Sequence, residues 1–433
     1  MRKQAFVGAL CAVLILRAVS AHGQTSQAGQ YVDPEGGVSL ATALAMAIER
    51  EPSLRAARSE VEAARGMRVQ AGLRPNPTVS LDQRQQPGGS DNQSAVDVEW
   101  PLDLFRRKAR VELADREAEA TEQSVADRQR LLTSEVRSRY GQAAAAVRDL
   151  ATAETLAMSA LRDLNLRRSR VDEGASPPLE RDLLDVDWRM LESEQLMAIG
   201  KAEAAMIDLK RILGLPAAAP MKLRETLETL VAAADVTPTP ASPPGERPDV
   251  REAEARVQVA DARIDRARSD GRFDVSLRGS YMRMAAGFSQ RGFNTQNVLE
   301  PVHGVFHYLA AGAMVTVPLR NRNQGEIAAA QAERAGAAAQ LEAARLTAQA
   351  EVAAAVAREN RARQALAVVE GAVALSRKNL DVVRQTFELG RTTALEVLAE
   401  QRRYLQIEKA HTAGLQAVFD ARAALLRAQG EVR

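Results

Sequence analysis

The chain has 433 residues, a formal net charge of +2, 26% charged residues and only 3% aromatics. A charge so near neutral gives no electrostatic case for a nucleic-acid partner, and so few aromatics leave a globular chain of this size without its usual core material. Abundant Ala, Arg, Glu, Gln and Leu instead predict long helices packed closely side by side.

Residues 1–21 read as a secretory signal peptide. Arg2 and Lys3 form its basic end, Ala5 to Leu16 a short apolar run, and Val19-Ser20-Ala21 a small-residue cleavage site. Cys11, the only cysteine, lies inside this segment, so the mature chain is expected to have no thiol, disulfide or cysteine metal site. Leu10 is bulky where lipoprotein processing takes a small residue, which disfavours a lipid anchor on Cys11. The apolar run is too short to span a bilayer, and no other stretch resembles a membrane helix. Any membrane crossing must therefore be made by strands.

The rest of the chain reads as a duplication: a first repeat over 22–235, a Pro-rich linker over 236–248 (VTPTPASPPGERP), and a second repeat over 249–433. Each copy predicts a helix, a strand pair (near 77–101 and near 272–318), a long helix, a tight turn and a second long helix. Pro52 falls opposite Pro248, Leu81 opposite Leu277, Gly174 opposite Gly390 and Glu180 opposite Glu396. The strand-to-strand connection is read as a short loop around Pro87–Ser94 in the first copy and a longer loop around Met284–Leu309 in the second. Leu366, Val373, Leu380 and Phe387 recur by sevens, with Leu150, Ala157, Leu164 and Val171 as their repeat partners. Such a heptad keeps one seam facing a partner helix.

The strands are two-faced. Val96, Val98 and Trp100 alternate with Asp97 and Glu99, while Phe273, Val275 and Leu277 alternate with Asp274, Ser276 and Arg278. This pattern fits a barrel wall between lipid and water, or a soluble sheet with one buried face. Export together with very long helices favours the barrel. Four strands cannot close one, since the smallest membrane barrels need about eight, so closure is expected to be shared between subunits. In the barrel reading Asp97, Glu99, Asp274 and Arg278 face the lumen.

On these residues the sequence resembles the TolC-like outer-membrane efflux factors over nearly the whole mature chain. AGLRPNPTVSL (71–81) and PLRNRNQGEI (318–327) are similar to the heavy-metal, CzcC-like branch, with Arg320 where that branch usually has an apolar residue. The resemblance implies a mainly α fold with a small β part: a homotrimeric twelve-stranded outer-membrane barrel continued by a long periplasmic α-helical barrel. It implies a duct that meets an inner-membrane pump of the resistance-nodulation-division type through a periplasmic adaptor (membrane fusion protein). The expected cargo is divalent heavy-metal cations, the location is the outer membrane of a Gram-negative envelope, and outer-membrane lipid surrounds the barrel.

Gly174, Gly390, Arg391 and Thr392 would form the periplasmic tips where adaptors dock. Glycine supplies the left-handed cap there, and Thr392 and Thr393 are suited to cap the next helix. Glu396 stands where TolC-like proteins carry the first of two gate aspartates, and Ala399 takes the place of the second. With Glu180 it would form a carboxylate ring that attracts cations. No catalytic constellation or phosphate loop is evident, so neither enzyme activity nor a cofactor is expected. His303 and His307, spaced by four in the predicted long loop, are the weak candidates for a metal contact. Two other readings stay open on the residues: a periplasmic coiled-coil adaptor or structural protein, and the same duct serving drugs or other organic solutes.

Overall fold

The computed structural model describes residues 26–87, 89, 91–236 and 247–431. The proposed signal peptide with Cys11, and most of the linker, lie outside the described residues. In chain order the elements are α1 (Leu40–Arg50), α2 (Pro52–Gly72), β1 (Thr78–Gln85), β2 (Asn92–Pro101), α3 (Arg107–Asp172), α4 (Pro178–Ile212), α5 (Leu227–Val236), α6 (Pro248–Asp270), β3 (Asp274–Phe293), β4 (Leu299–Thr316), α7 (Gln324–Glu388) and α8 (Ala394–Ala428). The chain is mainly helical, with one small antiparallel sheet among the described residues. Among those residues no helix is long and apolar enough to cross a membrane.

The order α2-β1-β2-α3-α4 recurs as α6-β3-β4-α7-α8. Pro52 and Pro248 each take the first helical position, where a missing N–H costs nothing. Helices α3 and α7 run for 66 and 65 residues, about 100 Å each at 1.5 Å per residue. Gly174 and Gly390 end them at φ of +74° and +72°, and Gly214 and Gly430 end α4 and α8 at +69° and +83°. At each of the four ends the glycine N–H and the N–H after it donate back to carbonyls of the last turn, which closes the helix. Gly430 follows Gly214 in the sequence by the same interval as Gly390 follows Gly174.

Helix α3 is the hub and packs against α2, α4, α6 and α8. Its heptad residues Leu150 and Leu164 are fully buried, and Leu366, Leu380 and Phe387 of α7 are buried as well. Helices α1 and α5 flank the middle of α3, where the Tyr140 hydroxyl donates to the Val38 carbonyl at 2.8 Å. Helices α3 and α8 come close at Gly141, where a Cβ would lie 2.4 Å from Phe419 Cδ1. Only a residue without a side chain fits there.

The sheet order is β1-β2-β3-β4, antiparallel throughout, and the β2–β3 pairing joins the two repeats. The segment Met284–Leu309, read above as a long loop, is instead the upper part of a β-hairpin. Its turn is short: Asn297 takes a φ of +63°, and the Asn294 side chain accepts from the N–H groups of Gln296 and Val298. Gly287, Pro301 and Gly304 interrupt the alternation in sequence, yet Val302, Val305, Phe306, Tyr308 and Leu309 supply strand-forming side chains. Pairing across the hairpin outweighs the breakers, at the expense of a register shift between Gly287 and Arg291.

Two elbows turn sheet into helix. In the first, Arg110 donates to the carbonyls of Ala71 and Leu73 and to Asp103, and Arg107 donates to the Gly72 carbonyl. In the second, Asn323 takes a φ of +64° before α7, and its side chain donates to the Ala267 carbonyl at 2.9 Å. Each elbow thus ties the helix entering a strand pair to the helix leaving it. Gly141→Ala should lower stability by about 1–3 kcal/mol, as overpacked core sites do. Gly66→Ala, with open space around it, should be neutral or stabilising by up to about 1 kcal/mol. Thermal melts of the purified protein in detergent check both.

Candidate functional site

Along β2 and residues 281–284 of β3 one face of the sheet is sheltered and the other open, while β1 and nearly all of β4 are exposed on both. Val79, Leu81, Val96, Val98, Trp100, Leu277, Leu309 and Val315 are exposed on the open face. Asp97 and Glu99 lie on the sheltered face, less exposed than the valines between them. The register orders the sheltered face into rows running across the strands. One row holds Thr78, Glu99, Arg278 and Gly312; the next holds Ser80, Asp97, Ser280 and Ala310. Above them come Asp82, Ala95, Met282 and Tyr308, and then Arg84, Gln93, Met284 and Phe306. Arg278 reaches Asp97 at 3.6 Å, and Asp274 pairs with Arg106 at the elbow at 3.2 Å. Sequence alternation located the four charged residues. The thioether and aromatic rows above them depend on register, which alternation within one strand does not give.

His303 and His307 are residues of β4, not of a loop. Both lie on the open face. Four strand residues separate their Cα atoms by about 13 Å, too far to share one ion. The His307 ring instead meets the Tyr281 hydroxyl at 2.8 Å. Among the described residues no group of three or more His, Cys, Asp or Glu is placed to hold a metal ion.

At the far end of the helices the two hairpins meet. Leu164, Leu184, Phe387, Ala394, Val397 and Leu398 form one buried cluster drawn from α3, α4, α7 and α8. Arg167 of α3 is buried beside it. Its guanidinium pairs with Glu180 at 2.9 Å, donates to Ser176 Oγ at 2.8 Å, and lies 4.2 Å from the centre of the Phe387 ring. Arg170 donates to the Glu388 carbonyl at 2.6 Å, binding the first hairpin to the second. Glu180 is therefore committed to Arg167 within its own chain, whereas Glu396 is exposed in the first turn of α8. Thr393 is the N-cap residue of α8 but makes no side-chain cap bond, and the Thr392 hydroxyl donates to Thr386 instead. The turn is already closed by the Arg391 N–H donating to the Thr386 carbonyl, which holds Thr392 facing back toward α7. Sequence reasoning missed Arg167. Its signal was a charged residue three positions after the seam residue Leu164, on the face that meets α7.

Charged residues also enter the helix seams. Asp163 accepts from Gln401 at 3.1 Å and lies 3.8 Å from Arg384, and burial pushes its carboxyl above the usual range. Asp187 of α4 is buried, with one oxygen lacking a hydrogen-bond partner and the other 3.7 Å from the exposed Arg402 of α8. Burial raises its carboxyl too, more than Arg402 lowers it. Elsewhere, a cleft of about 660 Å³ among α2, α3, α6 and α7 is lined by charges already paired, such as Arg128 with Glu60 and Arg263 with Glu333.

A duplicated strand-pair and helical-hairpin unit with this two-faced sheet has known counterparts. The family profile described as outer membrane efflux protein matches residues 43–215 and 245–431. The chain belongs to that family. Its members are outer-membrane efflux channels, and the fold agrees with solved relatives. Similarity to the channel protein CusC has a TM-score of 0.73 at 20% identity, covering 90% of this chain and 92% of that one. The Neisseria gonorrhoeae MtrE outer membrane channel matches with a TM-score of 0.71 at 20% identity, over 90% of this chain and 88% of that one. The Vibrio cholerae outer membrane protein VceC matches with a TM-score of 0.70 at 20% identity, over 90% and 96%. A search of curated protein sequences finds no significant match.

A carboxyl whose folded-state pKa is raised favours the folded state below its unfolded value, and that advantage is lost as pH rises through the folded value. Asp187 therefore costs stability at neutral pH. Asp187→Asn should raise the thermal midpoint of the protein at pH 7.5. The gain should vanish as pH falls below the raised pKa, which a series of melts from pH 7.5 to pH 3.5 would check.

Proposed function

We propose that the chain is the outer-membrane exit duct of a tripartite exporter, assembled as a homotrimer with a shared twelve-stranded barrel and a periplasmic helical tunnel. One observation carries this reading: a sheet with an apolar face and a charged face turns, at two elbows, into helices about 100 Å long. An outward apolar face suits lipid, and an inward charged face suits a water-filled lumen lined by Asp97, Glu99, Asp274 and Arg278. Trp100, exposed on the apolar face beside the elbows, suits the membrane interface.

Exposed apolar stripes support the trimer. Val368, Leu375 and Val382 of α7 and Leu389 at its C-terminal cap recur by sevens and are 76%, 65%, 50% and 70% exposed. Leu179, Val186, Met190 and Met197 form a second exposed stripe on α4. Helices α4 and α7 pack mainly on α3 and α8 respectively, so they lie at opposite edges of the four-helix layer. The α7 stripe of one copy would bury the α4 stripe of the next, a head-to-tail contact that closes into a ring.

The tips at Gly174, Gly390, Arg391 and Thr392 would receive a periplasmic adaptor, which links the duct to an inner-membrane pump of the resistance-nodulation-division type. The duct does no chemistry; it supplies a path. Glu396 would ring the constriction with three carboxylates, one per chain, and favour cations. Heavy-metal cations are the proposed cargo, supported by the PLRNRNQGEI and AGLRPNPTVSL motifs of the metal-exporting branch.

The purified protein in a planar bilayer should conduct ions, whereas an adaptor should not. Glu396→Ala should move the reversal potential in asymmetric salt toward lower cation selectivity; an unchanged potential would remove Glu396 from the gate. Leu375→Glu would set an unpaired carboxylate in each subunit seam, at a cost of several kcal/mol per seam. Light scattering in detergent should then find monomers where the unsubstituted protein gives trimers.

A further inference from the structure

We propose that Met282 and Met284 form a soft-metal site on the inner wall of the barrel, one that takes copper(I) or silver(I). The inference rests on the reading that the sheltered face of the sheet lines the lumen, and it narrows the cargo by its chemistry.

The segment Tyr281-Met282-Arg283-Met284 lies within β3. Strand alternation sends Tyr281 and Arg283 to the open face, where both are exposed, and both methionines to the sheltered face, where both are half-buried. Residues two apart on a strand lie about 7 Å apart at Cα and share a face. Each methionine has three rotatable side-chain torsions, enough to bring two thioether sulfurs onto one ion.

The Met282 sulfur is directed at a polar neighbour and not into a hydrocarbon core. The Gln93 side-chain amide of β2 donates to Met282 Sδ. Half a turn of that amide would offer its oxygen to the same place as a third donor. The immediate neighbours across the strands are Ala95 and Tyr308 beside Met282, and Gln93 and Phe306 beside Met284. None carries a carboxylate or an imidazole. Two carboxylates lie diagonally across β2, Asp97 from Met282 and Asp91 from Met284, about 7–8 Å away, and each is engaged elsewhere: Asp97 by Arg278 at 3.6 Å, and Asp91 by the Gly287 N–H at 2.9 Å.

This donor set discriminates between ions. Zinc, cobalt and manganese ask for imidazole, carboxylate or thiolate, and the two carboxylates nearest the pair, Asp97 and Asp91, are already engaged by Arg278 and the Gly287 N–H. Thioethers are soft ligands, and among biological metals they select copper(I), with silver(I) as its chemical analogue. The Tyr308 ring adjoins the pair and adds a π-face suited to a desolvated monovalent cation. The lumen of a membrane barrel is normally polar, and the thioether and aromatic rows on this face depart from that pattern. They lie above the Arg278–Asp97 pair, on the path toward the β3–β4 turn. A weak, exchangeable site there would give a soft ion a stop between tunnel and exterior without trapping it.

Titration of the purified full-length protein with silver nitrate in chloride-free buffer, followed by calorimetry, tests the proposal. One silver ion should bind per chain. The single variants Met282→Leu and Met284→Leu should each weaken binding at least tenfold, and the double variant should abolish it. Zinc and cobalt should give no heat that depends on these two residues. Equal thermal midpoints for the variants and the parent would show that the fold is intact. Silver binding that persists in the double variant would belong to other methionines and would overturn the proposal, as would no binding at all. Conductance of the metal-free protein, measured separately, keeps the two readings apart. A conducting protein without methionine-dependent silver binding sinks only the site. Methionine-dependent binding without conductance sinks only the duct.

Discussion

The constraint on which the rest depends is the unfinished edge of the sheet. Among the described residues strands β1 and β4 each pair on one side only, and each leaves a row of backbone donors and acceptors without strand partners along the other. In hydrocarbon every such group must find a partner within protein, because no water is present to replace one. A four-stranded sheet with an apolar outer face therefore cannot stand alone in a membrane. Closure by further copies is the remedy proposed above. The α4 and α7 stripes then become the same seam continued along the helices.

The elbows let one chain serve two very different surroundings. A strand rises more than twice as far per residue as a helix, so both copies must change direction and pitch within a few residues. The two copies solve this differently. The first uses Arg107 and Arg110 to hold the end of α2 through its carbonyls, and the second uses the left-handed Asn323 and its bond to Ala267. The duplicated order of elements is kept while the bonds that fasten it have diverged. The PLRNRNQGEI stretch is thus chiefly a hinge of covalent and hydrogen-bond geometry. Its asparagines and Gln324 are occupied by backbone groups: Asn321 accepts from the Asn323 N–H, and Gln324 from the Arg322 N–H.

The tips show how burial and charge are balanced where the helices end. Arg167 satisfies Glu180 and Ser176 while covering the Phe387 ring, so one side chain joins the first hairpin's turn to the last turns of α7. Asp163 and Asp187 take the opposite part, as carboxylates that burial holds above their usual range. A seam carrying such groups is less stable than a purely apolar one and separates at lower cost.

Local chemistry was legible without coordinates wherever it acts over a few residues. The heptad seams, the strand alternation of Asp97 and Glu99 against Val96 and Val98, the glycine turns at Gly174 and Gly390, and the repeat of their order all follow from periods of 3.5 and 2 and from the steric freedom of glycine. The position of Asp187 on the buried side of α4 was not legible, because a polar residue within a charged helix reads as solvated until its neighbours are known. The hairpin through His303 and His307 was hidden for the opposite reason: Gly287, Pro301 and Gly304 break the local pattern, and only cross-strand pairing restores it. What the amino-acid order determined by itself was the set of elements, their duplication and their two-faced character, all properties of neighbours along the chain. What only the tertiary structure decided was which residues share a row or a seam: Met282 and Met284 beside Gln93, Arg167 between two hairpins, and Gly141 against Phe419. Those partners are far apart in sequence, and register and helix packing alone bring them together.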